Sequence, residues 1–267
     1  MKEVIVRFLS GILYIAAIII ALFTSREWFI GLLFVFAAIT LHEFLRLVNL
    51  KGFVAYLILV LSFYFISYED FNLTATLLLL GITLIVNLFL FRDVIILNKL
   101  RLFKKRRYFC IIFYIITGFL FLSMIPDIGA NFEPFILLGI FILAWTNDTF
   151  AYLVGKKFGK RKLMEKISPK KTVEGFLGGL VGALIASYFI YQYTSHYNLI
   201  IWLILAIIIS VFGTIGDLIQ SKFKRLAGVK DSGKIMPGHG GVYDRLDSII
   251  YASPFIYSFL IVIHYVS

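Results

Sequence analysis

The chain has 267 residues, is 61% hydrophobic and only 15% charged, and carries a formal net charge of +11. A mean hydropathy of +0.95 excludes an ordinary soluble domain, which needs a more even division between apolar and charged residues. A single cysteine, Cys110, excludes an internal disulfide, and its apolar neighbours mark it as a small packing residue.

Nine windows have almost no charge: residues 4–23, 28–45, 52–68, 71–91, 108–125, 135–154, 176–193, 199–219 and 248–266. Runs of about 17–25 apolar residues are long enough as helices to cross roughly 30 Å of hydrocarbon. They do not alternate as barrel strands would, so the fold class is all-α, a polytopic integral membrane protein with about nine transmembrane helices. Lys2 and Arg7 flank the first window as in a signal peptide, but its apolar run is longer than a signal core and eight more follow, so it reads as a retained helix. With a cytoplasmic N-terminus and the C-terminus outside, all of the 26 Lys and Arg except Arg26 fall on the cytoplasmic side, as the positive-inside rule requires.

In chain order, residues 1–107 read as an N-terminal bundle of four helices followed by a basic loop. His42 and Glu43 lie near the cytoplasmic end of the second window, where such a pair either lines a cavity or, the favoured reading, snorkels or hydrogen-bonds a neighbour. Loop 92–107 ends in Lys104-Lys105-Arg106-Arg107 and reads as a topology determinant on anionic headgroups, each basic side chain adding about 1 kcal/mol.

Residues 108–267 read as the catalytic domain, with cytoplasmic segments 147–175 and 217–247. Asp148 lies inside an apolar window with Asn147 and Thr149 beside it and Tyr152 one turn on, a group that reads as the lining of a polar cavity. Loop 155–175 sets eight basic residues against Glu165 and Glu174. Its last part, 168–175, resembles a helix start, and a helix N-terminus beside Lys170, Lys171 and Thr172 is suited to phosphate. Gly175, Gly178, Gly179 and Gly182 then permit close helix packing.

Segment 217–247 is the densest in chemistry. It holds Asp217, Asp231, Asp244 and Asp247, with Ser221 one turn after Asp217, and Lys222, Arg225, Lys230 and Arg245 among six basic residues. The run Pro237-Gly238-His239-Gly240-Gly241 can turn its N–H groups inward as a nest for anionic oxygens. Asp244 and Asp247 share one face at the start of the last helix, where capping explains one of them but not all four aspartates. Carboxylates are the usual protein ligands of Mg²⁺, and lysines, arginine and a glycine nest neutralise phosphate. The residues alone therefore reach metal-assisted phosphoryl or nucleotidyl transfer to a lipid.

The run from Ser221-Lys222-Phe223-Lys224-Arg225 through Lys230-Asp231-Ser232-Gly233 to Pro237–Asp247 resembles the signature of the phosphatidate cytidylyltransferases, the CDP-diacylglycerol synthases. Segments 148–152, 155–160 and 168–175 resemble that family's other motifs. The resemblance implies transfer of CMP from CTP to phosphatidate for phospholipid biosynthesis, with Mg²⁺, room for a second cation, and a homodimer. It implies metal ligation by Asp217 and Asp244, with Asp148 and Asp247 as further ligands. Catalytic roles fall to Asp217, Asp244, Asp231, His239 and Lys222. Substrate contacts fall to Lys170, Lys171, Thr172, Ser221, Arg225, Lys230, Gly238, Gly240, Gly241 and Arg245. The expected location is the inner, cytoplasmic membrane with the active site facing the cytoplasm, among membrane lipids and with no nucleic-acid partner. A CTP-dependent enzyme acting on a polyprenyl lipid would share the geometry. A transporter of anionic solutes would instead need repeated, broken mid-membrane helices, and the charge here gathers at one end.

Overall fold

The computed structural model describes residues 2–69, 72–96, 107–129, 131–194, 196–238 and 240–266, with side chains from residue 9 onward. Every apolar window becomes a helix: α1 (Lys2–Thr24), α2 (Arg26–Leu47), α3 (Val54–Tyr68), α4 (Leu73–Ile96), α5 (Arg107–Asp127), α6 (Pro134–Phe158), α7 (Val173–Tyr193), α8 (Leu199–Leu226) and α9 (Tyr243–Val266). Among the described residues seven of these are long and apolar enough to cross a membrane, while Leu9–Thr24 of α1 and Val54–Tyr68 of α3 are shorter. Polar side chains set four of the starts. Ser25, Asn72, Thr172 and Asn198 each accept a hydrogen bond from an amide two or three residues on, satisfying a donor the helix itself leaves open.

Helix α5 is the axis of the bundle. From Cys110 to Ile125 it is buried almost throughout, against α2, α4 and α9. At Gly118 a Cβ would lie 2.6 Å from the Ile250 carbonyl, so α5 and α9 are nearly in backbone contact. One apolar core runs through residues of both the first 107 and the last 160 positions.

The second close pair is α6 with α7. A Cβ at Gly178 would stand 2.5 Å from Val154, and one at Gly182 2.5 Å from Phe150. Gly175 and Gly179 meet the carbonyls of Ala151 and Asn147 in the same way. In lipid, where apolar burial gives helices little reason to associate, such close approach supplies the packing contact. The glycine face of α7 is thus occupied within the chain by α6.

One element departs from the helical expectation. Between α6 and α7 the chain forms a hairpin, β1 (Lys162–Met164) antiparallel to β2 (Ser168–Thr172), pairing Lys162 with Thr172 and Met164 with Ser168. Segment 168–175 is therefore a strand followed by a cap and not a helix start from Ser168. Pro169 disfavours helix for the residue before it, and Thr172 caps α7 only from position 173. Glu174, in the first turn as expected, accepts the Lys160 and Arg161 amides and ties the hairpin's base to α7. At one end of the bundle Arg26 bonds Asp127 at 2.9 Å and the carbonyls of Ser67 and Tyr68, joining α2, α3 and α5.

Candidate active site

The site gathers where the C-terminal turns of α8, the start of α9, the hairpin and α6 meet. Asp217 points from α8 with its two oxygens differently engaged. Ser221, one turn on, donates to Oδ1 at 3.2 Å, and the Lys171 ammonium contacts Oδ2 at 2.5 Å. Lys171 reaches Asp217 because successive strand residues face opposite ways, which leaves Lys170 exposed on the other side of β2. Burial pushes the Lys171 amine down, but the Asp217 carboxylate outweighs it and holds Lys171 above the ordinary value of 10.5. Asp148 of α6 and Asp247 of α9 lie within electrostatic reach of both Lys171 and Asp217. The Asp247 side chain accepts a bond from the Ser248 amide. A narrow crevice lined by Ala144, Asn147, Asp148, Gly213, Ser248 and Ala252 runs between α6, α8 and α9 beside these groups.

Asp244 is held quite differently. Its side chain is only 6% exposed, and four donors converge on it together with the Ser232 hydroxyl, which it shares with Glu43. Lys224 Nζ at 2.8 Å and Gln220 Nε2 at 3.2 Å approach Oδ1. The Ser232 amide at 2.8 Å, the Ser232 hydroxyl at 3.0 Å and the Gly241 amide at 2.9 Å approach Oδ2. The glycine-rich turn is closed by a bridge between Met236 and Gly240, with Gly238 and Gly240 at φ of +74° and +86°. Amides at and on either side of this turn meet the protein's own carboxylates. Asp244 takes the amides of Ser232 and Gly241, and Glu43 takes those of Val242 and Tyr243.

Below this loop lies an aromatic base built from four helices. Phe44 of α2 meets Phe223 of α8 edge-on at 4.9 Å and Tyr243 of α9 at 5.8 Å. Tyr114 of α5 shares a 2.9 Å hydrogen bond with the Tyr243 hydroxyl. Each edge-to-face pair contributes about 0.5–1.5 kcal/mol beyond burial, so the start of α9 rests on a rigid floor.

The cytidylyltransferase family model matches residues 5–263 of this chain. The chain belongs to the cytidylyltransferase family. Curated relatives include the phosphatidate cytidylyltransferases of Staphylococcus haemolyticus and Staphylococcus aureus (strain COL), each 38% identical over 183 residues, covering 67% of this chain and 68% of the relative. That of Staphylococcus saprophyticus is 39% identical over the same extent. The chain is accordingly an enzyme of nucleotidyl transfer.

In this cytidylyltransferase the expected site residues divide by what they touch. Asp148, Lys171, Asp217, Ser221 and Asp247 come together beside the crevice. Lys170, Arg225, Lys230, Asp231, Gly238 and Arg245 are exposed, and Lys222 is half-buried. The Arg225 Nε donates to the Ile167 carbonyl at 3.4 Å, and Arg245 lies within electrostatic reach of Asp148. Thr172 is buried and acts as the cap of α7, donating nothing outward that the geometry records, while Gly241 gives its amide to Asp244. His239 and loop residues 97–106 lie outside the described residues. Among the described residues no three His, Cys, Asp or Glu side chains converge as a ready metal cage. Mg²⁺ does not need one, since it keeps waters and is usually held by one or two carboxylates together with substrate phosphates. The chemistry of Asp217 with Asp247 and Asp148 fits that requirement. Sequence reasoning gave too little to Glu43, Gln220 and the aromatic floor. The one available signal was an acid inside an apolar helix, which is retained only with a reason.

Proposed function

We propose that this chain transfers CMP from CTP to phosphatidate, yielding CDP-diacylglycerol and pyrophosphate, with Mg²⁺ at the site. The observation that carries this reading is the Lys171–Asp217 pair with Asp148 and Asp247 in its field, where α6, α8 and the start of α9 meet the hairpin. A hydrophilic, charged site at the edge of an apolar bundle suits one water-soluble and one lipid substrate. Family membership and the names of the staphylococcal relatives support the choice of CTP and phosphatidate.

In the proposed reaction a phosphatidate phosphate oxygen attacks the α-phosphorus of CTP. The new bond joins that oxygen to the α-phosphorus, the bond between the α-phosphorus and the bridging oxygen breaks, and pyrophosphate leaves with the electron pair. The attacking oxygen is already an anion near neutral pH, so positioning and charge stabilisation provide the acceleration and no strong base is required. Asp217, with Asp247 and Asp148, would hold Mg²⁺, which when bound neutralises developing charge on the phosphate oxygens. These carboxylates exceed what one Mg²⁺ requires, which accommodates a second cation. Asp244, expected as a principal ligand, has its oxygens engaged by Lys224, Gln220 and two loop amides and is assigned to fix the loop. Lys170, Lys171, Lys222, Arg225, Lys230 and Arg245 supply the charge that clamps the triphosphate and the lipid phosphate.

The proposal includes nine spans in the inner membrane, with the N-terminus and the active site on the cytoplasmic side and the C-terminus outside. That arrangement places the basic residues on one face. The homodimer implied by the family resemblance is part of it, with an interface other than the glycine face of α7. Pyrophosphate release by purified protein tests the reaction. Release that requires CTP, phosphatidate and Mg²⁺ together supports it, and release with a polyprenyl phosphate in place of phosphatidate refutes the assigned acceptor.

A further inference from the structure

Glu43 is the acid in the molecule that its own helix does least to explain. It sits in α2, far in sequence from the catalytic segments, and is only 2% exposed. A carboxylate buried in a helix bundle is costly unless donors surround it. Among the described residues no lysine, arginine or histidine pairs with it, and the polar groups that face it, two amides and a hydroxyl shared with Asp244, all come from one stretch of chain. The Ser232 hydroxyl lies at 2.9 Å, the Val242 amide at 3.1 Å and the Tyr243 amide at 3.0 Å. The last two amides open α9, where the helix dipole favours a negative charge. Glu43 therefore caps the start of α9 from a different helix.

The fit around it is tight. A Cβ at Gly233 or Gly241 would collide with the Glu43 carboxylate, so a side chain at either position would displace it. Ser232 links it to the rest of the site, because its hydroxyl lies within bonding distance of both Glu43 Oε2 and Asp244 Oδ2. Two carboxylates, one from the N-terminal bundle and one from α9, thus grip opposite sides of one loop. The neighbouring Phe44 fixes the helix that carries Glu43 against Tyr243 and Phe223.

We propose that Glu43 is a positioning residue, whose carboxylate holds the loop between Ser232 and Tyr243, and with it the start of α9, in the shape that seats Asp244 against the loop and sets Asp247 beside Asp217. This rests on the nucleotidyl-transfer reading of the site. It gives the N-terminal helices a part in the chemistry that anchoring alone does not.

The experiment uses the full chain purified in detergent, as wild type, Glu43→Gln and Glu43→Ala, with Leu33→Ala as a packing control on the same helix. Limited trypsin digestion is followed by mass spectrometry, and cleavage after the exposed loop residues Lys230 and Lys234 is divided by cleavage after Lys166 in the hairpin turn. Opening of the loop should raise this ratio about tenfold in Glu43→Gln, because cleavage tracks the open population, while Leu33→Ala leaves it unchanged. In the nucleotidyl-transfer assay kcat should fall about 10²-fold, the penalty for a displaced reacting group, with a smaller change in KM for CTP. A ratio equal to wild type in folded Glu43→Gln and Glu43→Ala protein overturns the proposal. If neither variant folds, Glu43→Asp keeps the charge but shortens its reach, and an unchanged ratio there overturns it equally. If the wild type transfers no nucleotide to phosphatidate, the functional reading fails while the cleavage ratio still decides the role of Glu43.

Discussion

Asp244→Asn and Asp217→Asn should part company, although both replace one carboxylate by its amide. Asp244 is nearly enclosed and receives four donors, with the Ser232 hydroxyl shared between it and Glu43. An amide in its place turns one acceptor into a donor. Either the Lys224 ammonium and Gln220 face that NH₂ group, or the Ser232 and Gly241 amides do. Breaking a buried pair in this way costs about 3–5 kcal/mol. For a chain of this size 1 kcal/mol corresponds to roughly 2–4 °C, so the melting temperature in detergent should fall by about 6–20 °C. Asp217 is one-third exposed, and its pair with Lys171 is worth about 1 kcal/mol or less to stability, a shift of a few degrees at most. Both variants should lose nearly all activity, one because the loop is released and the other because a metal ligand is gone. The assay is thermal unfolding of both proteins, with pyrophosphate release measured well below either transition. An Asp244→Asn protein that melts within about 2 °C of wild type yet is inactive would refute the assignment of Asp244 to the loop and return it to the metal.

Two further outcomes follow from the same geometry. Lys171 is held above its ordinary value of 10.5, so its ion pair contributes fully below that value and is lost only as pH rises through the higher folded value. The melting difference between wild type and Lys171→Met should therefore persist at about pH 9, and its disappearance by that pH contradicts the pairing. Gly182→Ala should separate α6 from α7, since the added methyl meets the Phe150 ring, and should destabilise the protein by about 1–3 kcal/mol, read by thermal unfolding. Unchanged stability there would mean that the pair does not pack through its glycines.

Much of this was legible in the sequence because lipid enforces simple rules. Charge-free runs of sufficient length must be helices, and all nine windows are. The glycines of α7 pointed to close packing, and the partner proved to be α6. Asp148, Lys171, Asp217 and Asp247, which the resemblance put in one site, do lie together. What did not follow was which acids face outward. Asp244 and Asp247 are three residues apart on one helix face, yet the first is saturated by Lys224 and loop amides, which only the folded loop supplies. The stretch was read as open to phosphate because a chain segment does not reveal that Asp244 takes the Gly241 amide and that Glu43, 199 positions before Val242, takes the Val242 and Tyr243 amides. The hairpin escaped because lysines around Pro169 carry no strand periodicity long enough to detect.

The most direct test of the central claim uses CTP labelled separately at the α- and γ-phosphates, incubated with the purified chain, phosphatidate and Mg²⁺, followed by extraction into organic solvent. The account predicts that the α-label enters the lipid phase and the γ-label stays in water as pyrophosphate, and that chelating the metal abolishes both. Movement of the γ-label into the lipid phase would mean phosphoryl rather than nucleotidyl transfer, and would contradict the assigned reaction.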